Sequence, residues 1–87
     1  MEHDDRLARL LKLHQDEPDD VFLNYALAME HIRMGEFTQA LAGLNRVTGL
    51  DGSYIPAYYQ KGKVYEALGD PEKALQSYRL GRDLAVA

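Results

Sequence analysis

Residues 67–75 read ALGDPEKAL, and residues 33–41 read RMGEFTQAL. In each, a glycine ends one apolar-patterned segment, polar residues follow, and an Ala-Leu pair opens the next. Gly35 and Gly69 lie 34 residues apart, as do Ala40 and Ala74, a length at which helical repeats recur. Glycine adopts at little cost the left-handed backbone that closes a helix. Asp70 then offers a carboxylate to cap the next helix. Pro71 takes the first helical position, where a missing N–H does no harm. The two stretches therefore predict one unit, helix, tight turn, helix, written twice.

Laying residues 21 onward over residues 55 onward extends the match. Tyr25 pairs with Tyr59, Leu41 with Leu75 and Leu50 with Leu84, while Val21 with Ile55, Ala28 with Gly62 and Glu36 with Asp70 are conservative pairs. Ala28 and Gly62 fall in the middle of the first helix of each unit, and Ala40 and Ala74 in the second. Small side chains there let paired helices approach, and larger ones would push them apart.

Five helical segments are readable, at about residues 4–15, 20–34, 37–48, 53–68 and 70–84. In the first, Leu7, Ala8, Leu10, Leu11 and Leu13 form an apolar stripe at helical spacing, Asp4 and Asp5 suit the dipole at its start, and Pro18 enforces the break after it. Asp19 or Asp20 is positioned to cap the second helix and Ser53 the fourth, with Pro56 in the fourth helix's first turn. The C-terminal LAVA is expected to fray. No segment alternates apolar and polar residues over strand length. The aromatic SYIPAYY is read as helix because Pro56 argues against a strand. The expectation is a single domain over residues 1–87: a helix at 4–15, a first repeat at 20–49 and a second at 53–85.

Composition narrows the classes. The apolar share of 46% and charged share of 28% are those of a globular protein. There is no cysteine, so disulfides and thiolate metal sites are excluded. No apolar run approaches the roughly 20 residues of a membrane span, and the acidic start MEHDDRLARL has the character of neither a signal nor a transit peptide. A soluble, cytoplasmic protein without membrane contact is expected. The net charge of −4 comes entirely from residues 1–20, where seven acids face Arg6, Arg9 and Lys12. That balance argues against nucleic acid, whose phosphates need a basic face.

The pattern resembles the tetratricopeptide repeat. The family's small residue of the first helix is matched by Ala28 and Gly62, its turn glycine by Gly35 and Gly69, and its central alanine by Ala40 and Ala74. Its aromatics are matched by Tyr65 and Tyr78, with His31 and Leu44 in the earlier copies, and its closing proline by Pro18. Asn24, Lys61, Gly52 and Pro71 depart from the pattern, standing for an aromatic, a leucine, a proline and an aromatic. The resemblance implies an all-α, right-handed solenoid of antiparallel helix hairpins: two full repeats preceded by a half-repeat helix, five helices in all, with Leu10 and Leu13 of the first in register with Leu44 and Val47.

In this family the first helix of each repeat lines a concave face that holds a peptide or a helix of another protein. Carried over, the groove positions are Phe22, Tyr25, Met29, Ile32 and Arg33, then Tyr59, Gln60, Lys63 and Glu66, with Asp19, Asp20 and Tyr54 at the edge. Tyr25, Met29 and Tyr59 would offer adaptable apolar contact, and Arg33 and Lys63 could meet a ligand carboxylate. Taken singly, Tyr25 and Tyr59 fit packing between helices better than a groove role, and it is the resemblance that favours the groove for the set. Chaperone-binding members clamp a C-terminal carboxylate with lysine and asparagine. The equivalent places here carry Tyr25, Met29 and Gln60, so chaperone-tail binding is not implied.

No enzyme is expected, and no cofactor. A Gly-rich phosphate loop is missing, and His3, His14 and His31 fall on different segments without ligand spacing. The remaining alternative is self-association, as a homodimer or within a longer repeat array. The last helix carries Leu75, Tyr78, Leu80 and Leu84 with no helix after it, and Leu80 and Leu84 are the expected contact residues.

Overall fold

The computed structural model describes residues 2–87, with side chains from Asp5 onward, so the side chains of His3 and Asp4 lie outside the description. Five α-helices follow one another: α1 (Glu2–Asp16), α2 (Val21–Arg33), α3 (Phe37–Leu50), α4 (Ile55–Ala67) and α5 (Pro71–Val86). There is no strand among the described residues. Each helix packs on its neighbours in the chain: α2 with α3 and α4 with α5 form the closest pairs, α3 joins the pairs, and α1 rests on α2. This is an all-α solenoid of antiparallel hairpins.

The two turns are copies of one another. Gly35 (φ 73°) and Gly69 (φ 82°) are the described residues with positive φ. At each turn the glycine N–H reaches back three residues, to Ile32 at 3.0 Å and to Glu66 at 3.1 Å. The next N–H reaches back five, from Glu36 to His31 at 2.8 Å and from Asp70 to Tyr65 at 2.9 Å. The second bond is the six-to-one closure that a left-handed glycine makes possible. His31 stands half-buried at the end of α2. Its Nδ1 lies 2.9 Å from a Glu36 carboxylate oxygen and so ties the turn a second time.

Two helix starts, those of α2 and α5, carry a side-chain cap, and those of α3 and α4 do not. Asp20, not Asp19, caps α2 by accepting the Leu23 N–H at 2.8 Å, and Asp70 caps α5 by accepting the Lys73 N–H at 3.1 Å. Ser53 does not cap α4. Asp51 takes both its N–H (3.0 Å) and its hydroxyl (2.8 Å) in a local turn, and Tyr54 occupies the cap position without a side-chain bond. The C-terminal LAVA is helical through Val86.

The core lies between α2, α3 and α4. Ala28, Ala40, Leu44, Val47, Ala57 and Val64 form its buried centre. At the α1 end, buried Asn24 explains its departure from an aromatic. Its amide donates to the carbonyls of Pro18 (2.9 Å) and Asp20 (2.8 Å). Its oxygen is then left to accept from His14 Nε2 at 3.1 Å. Arg6 adds an ion pair from α1 to the buried Glu30, at 2.9 Å.

Candidate functional site

The expected groove residues fall into three groups. The first joins α2 to α4. The Tyr25 ring lies 5.2 Å from that of Tyr54, and the Gln60 amide donates to the Tyr25 phenol. Burial and the neighbouring Tyr54 push that phenol above its ordinary range, and the Gln60 bond pulls partly against them. Tyr25 and Gln60 are both half-buried. At the edge, Asp20 is committed to its cap and Asp19 pairs with Arg46 of α3.

The second group looks toward α5. The Tyr59 ring is 6.4 Å from that of Tyr78, and the Tyr78 hydroxyl donates to the Glu66 carboxylate. That bond holds the proton on the phenol and, with burial, pushes it up to about 12. Tyr59 and Glu66 are therefore brought together through a residue of α5.

The third group is open. Phe22 is 70% exposed. Arg33 and Lys63 are exposed, and Met29 and Ile32 half-buried. The Arg33 Nε stands 3.9 Å from the carboxylate of Glu30, one turn back on the same helix. Among the described residues, no hydrogen bond or ion pair given by the structure links this group to the other two.

On α5, Leu80 is exposed and Leu84 half-buried. Leu80 shares an outer depression with Glu72, Lys73, Leu75, Gln76, Arg79 and Asp83. A different depression opens between α4 and α5, lined by Tyr59, Leu75, Tyr78, Arg79 and Arg82. Sequence reasoning set Tyr59 in the groove and Tyr78 on the end helix and did not join them. The repeat offset held the signal, because Tyr25 and Leu44, their counterparts, belong to or pack on one cluster. Among the described residues, no three His, Asp or Glu side chains converge as a metal site. His14 and His31 are occupied by Asn24 and Glu36. No described helix is long and apolar enough to cross a membrane.

Comparison with known proteins agrees with this geometry. A tetratricopeptide repeat family model matches residues 55–81. A structure of MamA (MSR-1, C2) is similar to the chain with a TM-score of 0.89 at 20% identity, over 97% of this chain and 48% of that one. A second MamA structure gives 0.89 at 26% identity, over 94% and 48%. The first tetratricopeptide repeat domain of Spaghetti (RPAP3), bound to the HSP90 peptide SRMEEVD, gives 0.89 at 25%, over 95% of this chain and 66% of that one. The chain thus spans about half the length of the MamA chains it matches. One repeat thus matches the tetratricopeptide family model directly, and the fold of these repeat proteins is shared along nearly the whole chain.

Proposed function

We propose that the chain is a non-catalytic protein-interaction module, one domain over its 87 residues, that binds a peptide or helical segment along α2 and α4. The observation that carries this reading is the similarity to the first repeat domain of RPAP3, a protein of the same fold bound to a peptide. The arrangement of side chains supports it. The Tyr25–Tyr54–Gln60 junction fixes α2 beside α4, and Phe22, Arg33 and Lys63 stay exposed on those two helices. A ligand would set an apolar side chain on Phe22 and Met29 and a carboxylate near Arg33 or Lys63, with arginine able to hold it by two bonds. The HSP90 tail itself is a poor fit, since Tyr25 and Gln60 stand in clamp positions and are bonded to each other.

Titration of the labelled protein with a library of acidic peptides tests the proposal. Amide shifts are expected to cluster on Phe22, Met29, Arg33 and Lys63, and Arg33→Ala should weaken the best ligand about tenfold, as loss of a charged hydrogen bond does. Shifts scattered evenly over the surface, or an Arg33→Ala variant that binds normally, would count against it. A second reading, assembly through α5, is favoured by the exposure of Leu75 (49%) and Leu80 (47%). Sedimentation at rising concentration decides it, and a monomer throughout removes it.

A further inference from the structure

Glu30 is the one charged residue buried among the described residues, at 1% exposure. A carboxylate in that place is costly unless cations meet it. Arg6 of α1 brings its Nε to 2.9 Å from Glu30 Oε1, and Arg33 of α2 brings its Nε to 3.9 Å from the same oxygen. Both arginine side chains are more than half exposed, at 55% and 58%. Two guanidinium groups from two helices therefore converge on one buried oxygen. The other paired arginines are arranged differently. Arg46 meets Asp19 and Arg82 meets Asp83, one exposed acid for each exposed arginine. At Glu30 a single buried carboxylate faces two exposed cations, so positive charge is left at the surface. Of the described acids nearest in sequence, Glu36 is tied to His31, and Asp5 lies one position from Arg6, where residues of a helix do not face each other. Asp16 closes the opposite end of α1, about 15 Å from Arg6 along the helix.

We infer that Arg6 and Arg33 form a carboxylate-binding site, where an acidic side chain or chain terminus of a peptide sets one oxygen on each guanidinium group. The site lies where α1 meets the end of α2. It shares Arg33 with the concave-face reading and does not depend on that reading. Glu30 turns two surface arginines into a site. An arginine carries five N–H donors, and Arg6 spends its Nε–H on Glu30. Among the described residues, nothing else holds its terminal Nη groups, which keep the planar edge that fits a carboxylate. Anchoring Nε also fixes part of the side chain before any ligand arrives, so less rotamer freedom is lost on binding. The charges then balance, two guanidinium groups against Glu30 and one ligand carboxylate. A phosphate dianion would set excess negative charge close to a buried carboxylate, which favours the singly charged group. On this reading α1 supplies half of the ligand's cationic contacts as well as covering α2.

The test follows the side-chain Nε–H signals of the arginines by nuclear magnetic resonance at constant ionic strength. Three tripeptides serve as probes: acetyl-Gly-Glu-Gly-amide with a side-chain carboxylate, acetyl-Gly-Gly-Gly with a free terminal carboxylate, and acetyl-Gly-Gln-Gly-amide with neither. At least one acidic probe is expected to move the Arg6 and Arg33 signals with a single dissociation constant, about fivefold or more tighter than at exposed Arg79. The uncharged probe should move neither. Whichever acidic probe binds identifies the source of the carboxylate. Arg33→Gln should weaken the response at Arg6 about fivefold. Arg6→Gln combined with Glu30→Gln, which removes the cation and the buried anion together, should do the same at Arg33. Lys63→Ala should change either response less than twofold. Different constants at the two arginines, or constants no tighter than at Arg79, would overturn the inference. So would an Arg6 response untouched by Arg33→Gln, or inorganic phosphate binding tighter than both acidic probes. An acidic library peptide that shifts Arg33 and leaves Arg6 unmoved upholds the concave-face reading and counts against this one. Tripeptide binding at both arginines, with no library peptide bound, does the reverse.

Discussion

The two repeats share a backbone plan and differ in how they fill it. In the first, Ala28 faces a core whose second helix supplies Leu44, and both are fully buried. In the second, the corresponding places hold Gly62 and Tyr78. A Cβ on Gly62 would fall 2.3 Å from Tyr78 Cε1, with Cζ and Cδ1 at 2.5 and 2.6 Å. The methyl removed from one helix is the space occupied by the ring of the other. The exchange also changes what the position does. Leu44 is sealed beneath α4, while Tyr78 is half-exposed, bonded to Glu66 and open toward whatever lies beyond α5. Small-for-large compensation keeps the helix pair together in both repeats, but only the covered repeat uses it for an apolar core.

The largest effect expected from that contrast is on stability. Leu44→Ala should cost about 3 kcal/mol, because it empties a fully buried site. Tyr78→Ala, at the same place one repeat later, should cost about 1 kcal/mol, since its ring is half in water and less area is lost. Urea unfolding of the two variants checks the ranking, and equal losses would break the comparison. A smaller effect tests the compensation itself. Gly62→Ala gains about 1 kcal/mol of helix propensity yet places a methyl inside the Tyr78 ring, so a net loss of about 1 kcal/mol is expected. In a Tyr78→Leu background, which recreates the Ala28–Leu44 pairing, the same substitution should be neutral or stabilising. A double-mutant cycle showing no coupling would mean the ring moves aside freely.

Much of the fold was legible because its signals are local. Gly35, Gly69, Asp20, Asp70 and Pro71 each act within a few residues of chain, and the repeat offset set the hairpins in order. Ser53 was misread because its own N–H and hydroxyl both donate to Asp51, two residues earlier. The tie from His31 to Glu36 was not legible, because it forms only when the turn brings the two side chains together. The candidate site was less legible for a different reason. Tyr25 and Tyr59 are equivalent in sequence, but their surroundings depend on whether another helix follows. Tyr25 has Tyr54 and Gln60 against it, and Tyr59 has Tyr78 and solvent. A position within a repeat specifies which way a side chain faces, and the neighbouring repeat specifies what it meets.

The smallest expected effect sharpens that difference through pH. The Tyr78 phenol is raised to about 12 chiefly by its bond to Glu66, whereas Tyr25 is raised chiefly by burial. A folded-state value above the unfolded one means stability present below pH 10 and lost as pH rises through about 12. Titration of tyrosinate absorbance should show the Tyr78 step falling back toward the ordinary range in Glu66→Gln, with the Tyr25 step unmoved. If both shift together, the two phenols are not independently set.

The placement of α1 has a consequence for assembly. It covers α2 at one end of the stack with a helix whose outer side interleaves Leu11 and Leu13 with Arg9, Lys12 and Asp16, while the far end presents Tyr59 and Leu75. Apolar exposure is of the same order at both ends, Leu11 at 46% and Leu13 at 49% against Leu75 at 49%, so a contact between molecules can form at either pole.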